Sequence, residues 1–543
     1  MKTFYPSIIQ CMKSYSKGQF TKDIISGIIV AIIALPLSIA LAIASGVGPA
    51  VGLYTAIVAG FIVALLGGSP VQITGPTAAF ATIVAGIVAS KGIEGLAIAT
   101  LLAGIILILL GVLKLGSLIK FIPHTITTGF TAGIAITILI GQIKDFFGLT
   151  FGNAPVETIE KISEIVHCFG TVNIWAVIIG ILSLIILIFL PKVMPKIPAS
   201  LIAVIICAAV VKIFDIPVNT IGTLYPDISS APPKFMIPSG ISLNTIISML
   251  PDAFTIAILA AVESLLSCVV ADGMVGSRHN SNTELIAQGA GNIGSALFGG
   301  IPATGAIART AANIKNGGRS PISGITHAIV LFAMLVVLMP YAKMIPMPTI
   351  AAILFVVAYN MSEWREFTHI AKTSPKSDIL VLVATFVLTV VFDLVVAIIA
   401  GIVLATILFM KRMSDETNVK KADSNINSEN HFNVASDDII IYEITGPIFF
   451  GACDKLSEIL IQLDKKVIIL QMKSVPAIDA SGIHSFENII NICKTKNITL
   501  IMCNISKQPM SALTKAGIDK ELGKDNICDD ISTALQLAKK ITQ

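Results

Sequence analysis

The feature that most restricts how this chain can fold is a series of apolar blocks from residue 24 to residue 410, separated by short loops of Gly, Pro and Lys. A soluble fold of ordinary packing cannot hide so many apolar stretches, because even a large domain leaves much of its surface in water. A bilayer removes the difficulty by acting as their solvent. Composition agrees: 55% of the residues are hydrophobic and 13% charged, with a mean hydropathy of +0.87, against roughly 25% charged in soluble domains. An ordinary cytosolic enzyme, a disordered chain, a collagen-like fibre and a disulfide scaffold are thereby excluded. The formal charge of +4 is too small to imply nucleic acid as a partner. Cysteines at 11, 168, 207, 268, 453, 493, 503 and 528 form no C-x-x-C pair and no metal-ligand spacing, so they read as small core residues.

A spanning helix needs about 20 mainly apolar residues, fewer where neighbours bury it. Fourteen segments are expected to span: 24–44, 50–67, 76–90, 94–113, 122–146, 173–190, 199–214, 246–271, 283–298, 303–315, 322–339, 346–360, 377–392 and 393–410. The third and tenth are too short and too rich in small residues to cross alone. An even number places both termini on one side. With the N-terminus inside, cytoplasmic segments carry 16 Lys and Arg and the opposite loops 6, which is the bias expected of a cell-membrane protein with both ends in the cytoplasm. Residues 1–23 are polar and basic, without the cleavage site of a removable signal peptide. The organisation expected is therefore a cytoplasmic N-terminus at 1–23, a transmembrane domain at 24–410, a Lys/Asn/Asp/Ser-rich linker at 411–438, and a soluble cytoplasmic domain at 439–543.

Seven segments lie on each side of the loop at 215–245, giving repeats at 24–214 and 246–410. The odd number inverts the second relative to the first. Gly67-Gly68-Ser69-Pro70 leads to Thr74-Gly75-Pro76-Thr77 in one half, and Gly299-Gly300-Ile301-Pro302 leads to Ala303-Thr304-Gly305 in the other. Phe121-Ile122-Pro123 is echoed by Met344-Ile345-Pro346. Short, Gly/Pro-interrupted segments at matching places in inverted halves point to a transporter binding site at the starts of segments 3 and 10.

A helix that begins near the membrane midplane presents unpaired backbone N–H groups and about half a positive charge. Two such ends facing each other make an anion site, with expected donors around Thr77, Ala78 and Ala79 on one side and Thr304, Gly305 and Ala306 on the other. Arg309 follows Thr304 by five residues, about 7.5 Å along a helix. It adds fixed positive charge at the site, or snorkels to the inner surface, or pairs with a carbonyl. Glu263 is read as the one carboxylate well inside a predicted span, with Ser267 a turn further on the same face. It can bind a coupling proton, or Na⁺ with help from Ser267, or form a structural ion pair with Arg309. Ser38, beside Pro36, can line the site or bond its own helix. Gln72, Gln288 and Asn292 equally suit helix packing, and His124 and His327 are lesser proton-relay candidates. No nucleophile–base pair, phosphate loop or metal cluster is present, so neither an enzyme nor a cofactor is expected.

At these residues the chain resembles the sulfate permease (SulP) family of anion transporters. Its landmarks are Gln72-Ile73-Thr74-Gly75-Pro76-Thr77, Glu263-Ser264-Leu265-Leu266-Ser267, Val270-Ala271-Asp272-Gly273-Met274 and the run from Gly299 through Arg309 to Thr310. The resemblance implies a seven-plus-seven inverted repeat with two broken half-helices, a core domain moving against a gate domain, substrate between segments 3 and 10, and a homodimer. Leu37 and Leu41 stand where many eukaryotic members have glutamine and tyrosine. Glu263 and Ser267 stand where sodium-coupled relatives tend to have aspartate and threonine. Residues 439–543 alternate strands and amphipathic helices and resemble the STAS domain. Ser481, in Asp479-Ala480-Ser481-Gly482, matches the serine phosphorylated in anti-sigma-factor antagonists, although a helix cap is the competing role. The leading expectation is a secondary active transporter of sulfate, bicarbonate or a dicarboxylate, coupled to protons, with a regulatory or partner-binding STAS domain. A sodium symporter, a passive anion channel, a nucleobase permease and a signalling scaffold built on Ser481 are the alternatives.

Overall fold

The computed structural model describes residues 4–117, 123–153, 155, 157–194, 197–226, 228–240, 242–392, 394–422, 438–456 and 465–543. The chain divides into two units, Met1–Ile402 and Val403–Gln543. The first half of the membrane block contains helices α1 (Lys17–Ala44), α2 (Pro49–Leu66), α3 (Ala78–Val112), α4 (His124–Phe147), α5 (Thr158–Cys168), α6 (Ile174–Val193) and α7 (Ala199–Ile213), with strand β1 (Thr74–Gly75) between α2 and α3. The second half contains α8 (Leu243–Val275), α9 (Ser281–Leu297), α10 (Ile307–Lys315), α11 (Pro321–Ala342), α12 (Met347–Met361), α13 (Trp364–Thr373), α14 (Lys376–Val391) and α15 (Leu394–Glu416), with strand β2 (Thr304–Gly305) between α9 and α10. Every apolar segment of the sequence falls on one of these helices. Among the described residues, eight helices are long and apolar enough to cross a membrane by length and composition. The Phe121-Ile122 part of the expected echo lies outside the described residues.

The expected third and fourth segments are two helices that meet at Gly92 within α3. At 35 residues it would measure about 52 Å, against a hydrocarbon core of about 30 Å. Gly92, at φ 71°, folds it into two legs, because only glycine enters the left-handed region without a Cβ penalty. Lys91 Nζ secures the bend to Asp252 at 2.6 Å. The first helix begins at Lys17 rather than at residue 24. Ser16 Oγ caps it by accepting from Gln19 N at 3.2 Å, and Asp23 is fully buried yet satisfied, accepting from Tyr15 Oη (2.6 Å), Ser320 Oγ (2.6 Å) and Arg319 N (2.7 Å).

Helices α3 and α9 cross at close range. A Cβ on Gly289 would lie 2.5 Å from Gly104 O, and one on Gly104 would lie 2.7 Å from Gly289 O. Small residues allow this backbone approach, on which helix association in lipid depends.

The second unit has its own core. Strands β3 (Asn418–Lys421), β4 (Ile439–Thr445), β5 (Val467–Ser474), β6 (Thr499–Cys503) and β7 (Ile527–Cys528) form a sheet in that order, antiparallel between β3 and β4 and parallel elsewhere. The parallel strands read as continuous apolar runs because both of their faces are covered. Helix α16 (Ala480–Thr495) covers one face, placing Phe486 and Ile489 against Ile440, Ile468 and Leu470. Helix α17 (Lys507–Lys515) adds Leu513 to that core, and α18 (Ile531–Thr542) packs Ala534 and Leu535 on Ile439, Val467 and Ile469 of the other face. The expected start of the linker at 411 and of the domain at 439 needs moving. Helix α15 runs to Glu416, and β3 then joins the sheet edge with Val419 buried in its core. Five cysteines are buried as expected, but Cys11, Cys168 and Cys453 are half-exposed. Burial pushes the Cys493 thiol up to about 11.

Replacing Gly289 with Val should separate α3 from α9 and lower the yield of monodisperse protein in detergent, read by size-exclusion chromatography. Gly141→Val, at a position with no neighbour within 4 Å, should elute like the wild type.

Candidate anion site

Breaking a helix inside hydrocarbon leaves backbone N–H and C=O groups that must find partners within the protein. The two breaks of this chain supply them to each other. Strands β1 and β2 pair antiparallel, Thr74 opposite Gly305 and Gly75 opposite Thr304. Ala306 N extends the pairing to Ile73 O at 2.8 Å. The crossing sets the start of α3, at Ala78, beside the start of α10, at Ile307. Neither preceding residue, Thr77 or Ala306, caps its helix with a side chain, so the first-turn amides keep their positive character. Ala78 and Ala79 lie in that first turn of α3, as expected.

Thr304, Gly305 and Ala306 are placed differently from expectation. They precede α10, and their polar groups are already engaged. Gly305 N donates to Ser264 Oγ at 3.1 Å, Thr304 Oγ1 lies 2.8 Å from the same hydroxyl and donates to Ala260 O at 3.1 Å, and Ala306 N is paired as above. The extended backbone needed for strand pairing consumes the amides that a helix start would have left free. The amides open on this side are those of Ile307 and Ala308, both exposed.

Arg309 sits on α10 but reaches the other break. It is 2% exposed. Its Nη2 donates to Pro76 O, while Nε and Nη1 have no protein partner. Gly75 makes room for it, since a Cβ there would come within 2.5 Å of Nη1. Of the three roles open to Arg309, the carbonyl contact is present, but it occupies one nitrogen of three. Glu263 does not pair with Arg309. Its Oε2 accepts from Thr77 Oγ1 at 2.9 Å, so the carboxylate touches the residue that begins α3. Ser267 faces elsewhere, donating to Thr310 Oγ1 at 3.4 Å, and the same hydroxyl accepts from Ile73 N at 3.0 Å. Glu263 and Ser267 therefore do not share one ligand set. Ser38 is fully buried on α1, which packs against α3 and α10, and its hydroxyl has no partner. His327 is fully buried with neither ring nitrogen bonded, whereas His124 is exposed and lies 3.5 Å from Glu366.

The sequence reading missed Glu284. This carboxylate is fully buried on α9, contrary to the expectation that Glu263 was the one acid well inside a span. Its place at the second residue of a predicted segment made it look terminal. The spacing of Glu284, Gln288 and Asn292 along one helix face was the available signal. In the second unit the cap of α16 is Asp479, whose Oδ1 accepts from Gly482 N at 2.8 Å; Ser481 is half-buried in the first turn.

Residues 20–385 match the sulfate permease family and residues 433–534 match the STAS domain. The chain belongs to the sulfate permease family. It is accordingly a polytopic membrane transporter with a STAS domain, and not an enzyme. The Bacillus subtilis protein named "Putative sulfate transporter YvdB" is 42% identical over 524 residues, covering 95% of this chain and 97% of that protein. The bicarbonate transporter BicA of Synechocystis is 30% identical, covering 95% of this chain and 93% of its own. The solved transmembrane domain of a cyanobacterial BicA superposes with a TM-score of 0.64 at 30% identity, over 71% of this chain and 98% of that one. Murine solute carrier 26 family member A9, an anion transporter solved inward-facing, shares the fold with a TM-score of 0.88 at 18% identity, over 98% and 94% of the two chains.

The two glycines are the tightest test of this geometry. Gly75→Ala should displace Arg309 and Gly305→Ala should displace Gln72, whose amide a methyl would overlap. Each variant should reach the membrane at near wild-type level, read by immunoblot, and lose most anion uptake into proteoliposomes.

Proposed function

We propose that this sulfate permease homologue is a secondary active transporter of a small oxyanion, sulfate or bicarbonate first and dicarboxylates next, driven by protons. The observation that carries the reading is Arg309, nearly inaccessible to water, with two of its three nitrogens unpartnered beside two helix N-termini. A buried guanidinium left so is costly, and an anion held by it and by the first-turn amides of α3 and α10 removes the cost. The names of the relatives, sulfate for YvdB and bicarbonate for BicA, agree in ligand chemistry.

Glu263 supplies the coupling. Its hydrogen bond to Thr77 ties a titratable group to the start of α3, so a change in its charge alters the same helix end that meets the anion. Access alternates between the two sides of the cell membrane as the unit bearing the breaks moves against the remaining helices, in a homodimer whose termini are cytoplasmic. The STAS domain regulates this cycle or binds a cytoplasmic protein, with Ser481 as its modifiable residue. A sodium-driven mechanism is the second reading, but Ser267 turns to Thr310 instead of joining Glu263 in a cation site.

Purified protein in proteoliposomes should accumulate labelled sulfate or bicarbonate when the outside is acidic, and a protonophore should abolish the accumulation. Glu263→Gln should still equilibrate the anion down its gradient but no longer accumulate it. Arg309→Gln should raise KM by roughly tenfold or more, the loss of a charge-assisted contact. Accumulation that needs Na⁺ and ignores pH would replace protons as the driving ion, and equilibration without accumulation would make the protein a channel.

A further inference from the structure

Helix α9 carries Glu284, Gln288 and Asn292 four residues apart, hence on one face, and all three are fully buried. Polar side chains at such depth persist only where each finds partners. Here the partners lie on the two breaks. Glu284 Oε2 accepts from Gly68 N at 2.9 Å and Ser69 N at 3.2 Å; its Oε1 accepts from Gln72 Nε2 at 3.1 Å and Gln288 Nε2 at 3.0 Å. Gln288 Nε2 also donates to Thr74 Oγ1 in β1 at 2.9 Å. Two turns along, Asn292 grips the other break from both sides. Its Oδ1 accepts from Ala303 N and its Nδ2 donates to Ala303 O, each at 2.9 Å. The row thus begins on the segment that leads into β1 and ends on the segment that leads into β2.

We propose that Glu284, Gln288 and Asn292 are positioning residues of the transport site, seating both half-helix starts on α9 so that they hold one geometry together. None of the three is offered as a ligand of the anion. The proposal rests on the reading of the crossing as the anion site, and it adds which residues set that site's spacing. The donor and acceptor pattern makes it specific. Glu284 faces four donors, so a glutamine there would turn an NH₂ group toward the NH₂ groups of Gln72 and Gln288. Exchanging the two residues, Glu284→Gln with Gln288→Glu, restores a donor opposite an acceptor between positions 284 and 288 and reverses the Thr74 contact, whose hydroxyl then donates, while the amide at 284 still faces that of Gln72.

The test uses the full chain in nanodiscs and in proteoliposomes, comparing Glu284→Gln, Asn292→Asp and the exchanged pair. Backbone hydrogen exchange is followed by mass spectrometry over 67–79 and 303–309, and sulfate and bicarbonate uptake gives KM and turnover separately. Glu284→Gln contacts only the first break, yet it should speed exchange at both and raise KM by about tenfold while turnover stays within about twofold. The exchanged pair should recover both readouts in part, the contact with Gln72 remaining unrepaired. Asn292→Asp, which contacts only the second break, should act in the opposite direction along the row, and it serves as the test if Glu284→Gln does not fold. Faster exchange confined to the break that each residue touches, or an unchanged KM, would overturn the proposal. If the wild type takes up neither anion, the anion reading fails, and hydrogen exchange alone decides whether α9 links the breaks.

Discussion

The structure depends on one requirement, that backbone polar groups released by a broken helix find partners where no water is available. Each break alone would leave several donors and acceptors unmet, at a cost that no small domain of favourable packing offsets. The antiparallel pairing of Thr74-Gly75 with Thr304-Gly305 meets the requirement by making the two interruptions complementary. This also explains why they recur at matching places in the two halves. An interruption in one half without its counterpart would be a lesion; together they are the smallest possible sheet.

Around this crossing, small residues and buried polar residues divide the labour. Gly75 and Gly305 let Arg309 and Gln72 approach the backbone. Ser264, Thr310 and Asn292 then hold the extended segments from outside. Ser264, Thr310 and Asn292 each have a main-chain partner, which is the condition under which polar groups at such depth stabilise instead of destabilising. Arg309 meets it with one nitrogen and leaves two unmet, and Ser38 Oγ, Gln288 Oε1 and both His327 ring nitrogens are likewise without a protein partner.

Much of this was legible beforehand, and the exceptions have a common cause. The apolar blocks located the helices because period and length suffice for that. The Gly/Pro interruptions located the crossing of the two breaks, Thr77, Ala78 and Ala79 were placed at the start of α3, and Arg309 was singled out by its depth. What sequence could not convey was pairing across the fold. Thr304 and Gly305 looked like helix-start donors because nothing local reveals that a strand partner 230 residues away takes up their backbone. Glu284 looked terminal because three of its four donors come from another segment. In the STAS unit, β3 was lost in a polar stretch because an edge strand buries one residue in two at most.

If the proposed proton coupling holds, the hydrogen bond between Thr77 and Glu263 carries a logical consequence. A hydroxyl has one proton to give and lone pairs with which to receive. While Glu263 is ionised, the Thr77 proton is committed to it, and the face that Thr77 turns to an approaching oxyanion is electron-rich and repels it. Once Glu263 is protonated, the carboxylic acid becomes the donor, Thr77 receives, and the hydroxyl proton is released to point toward the oxyanion. One bond of 2.9 Å would then act as a conditional gate, welcoming the anion only after the proton has arrived, and strict coupling would need no movement larger than the rotation of a single O–H.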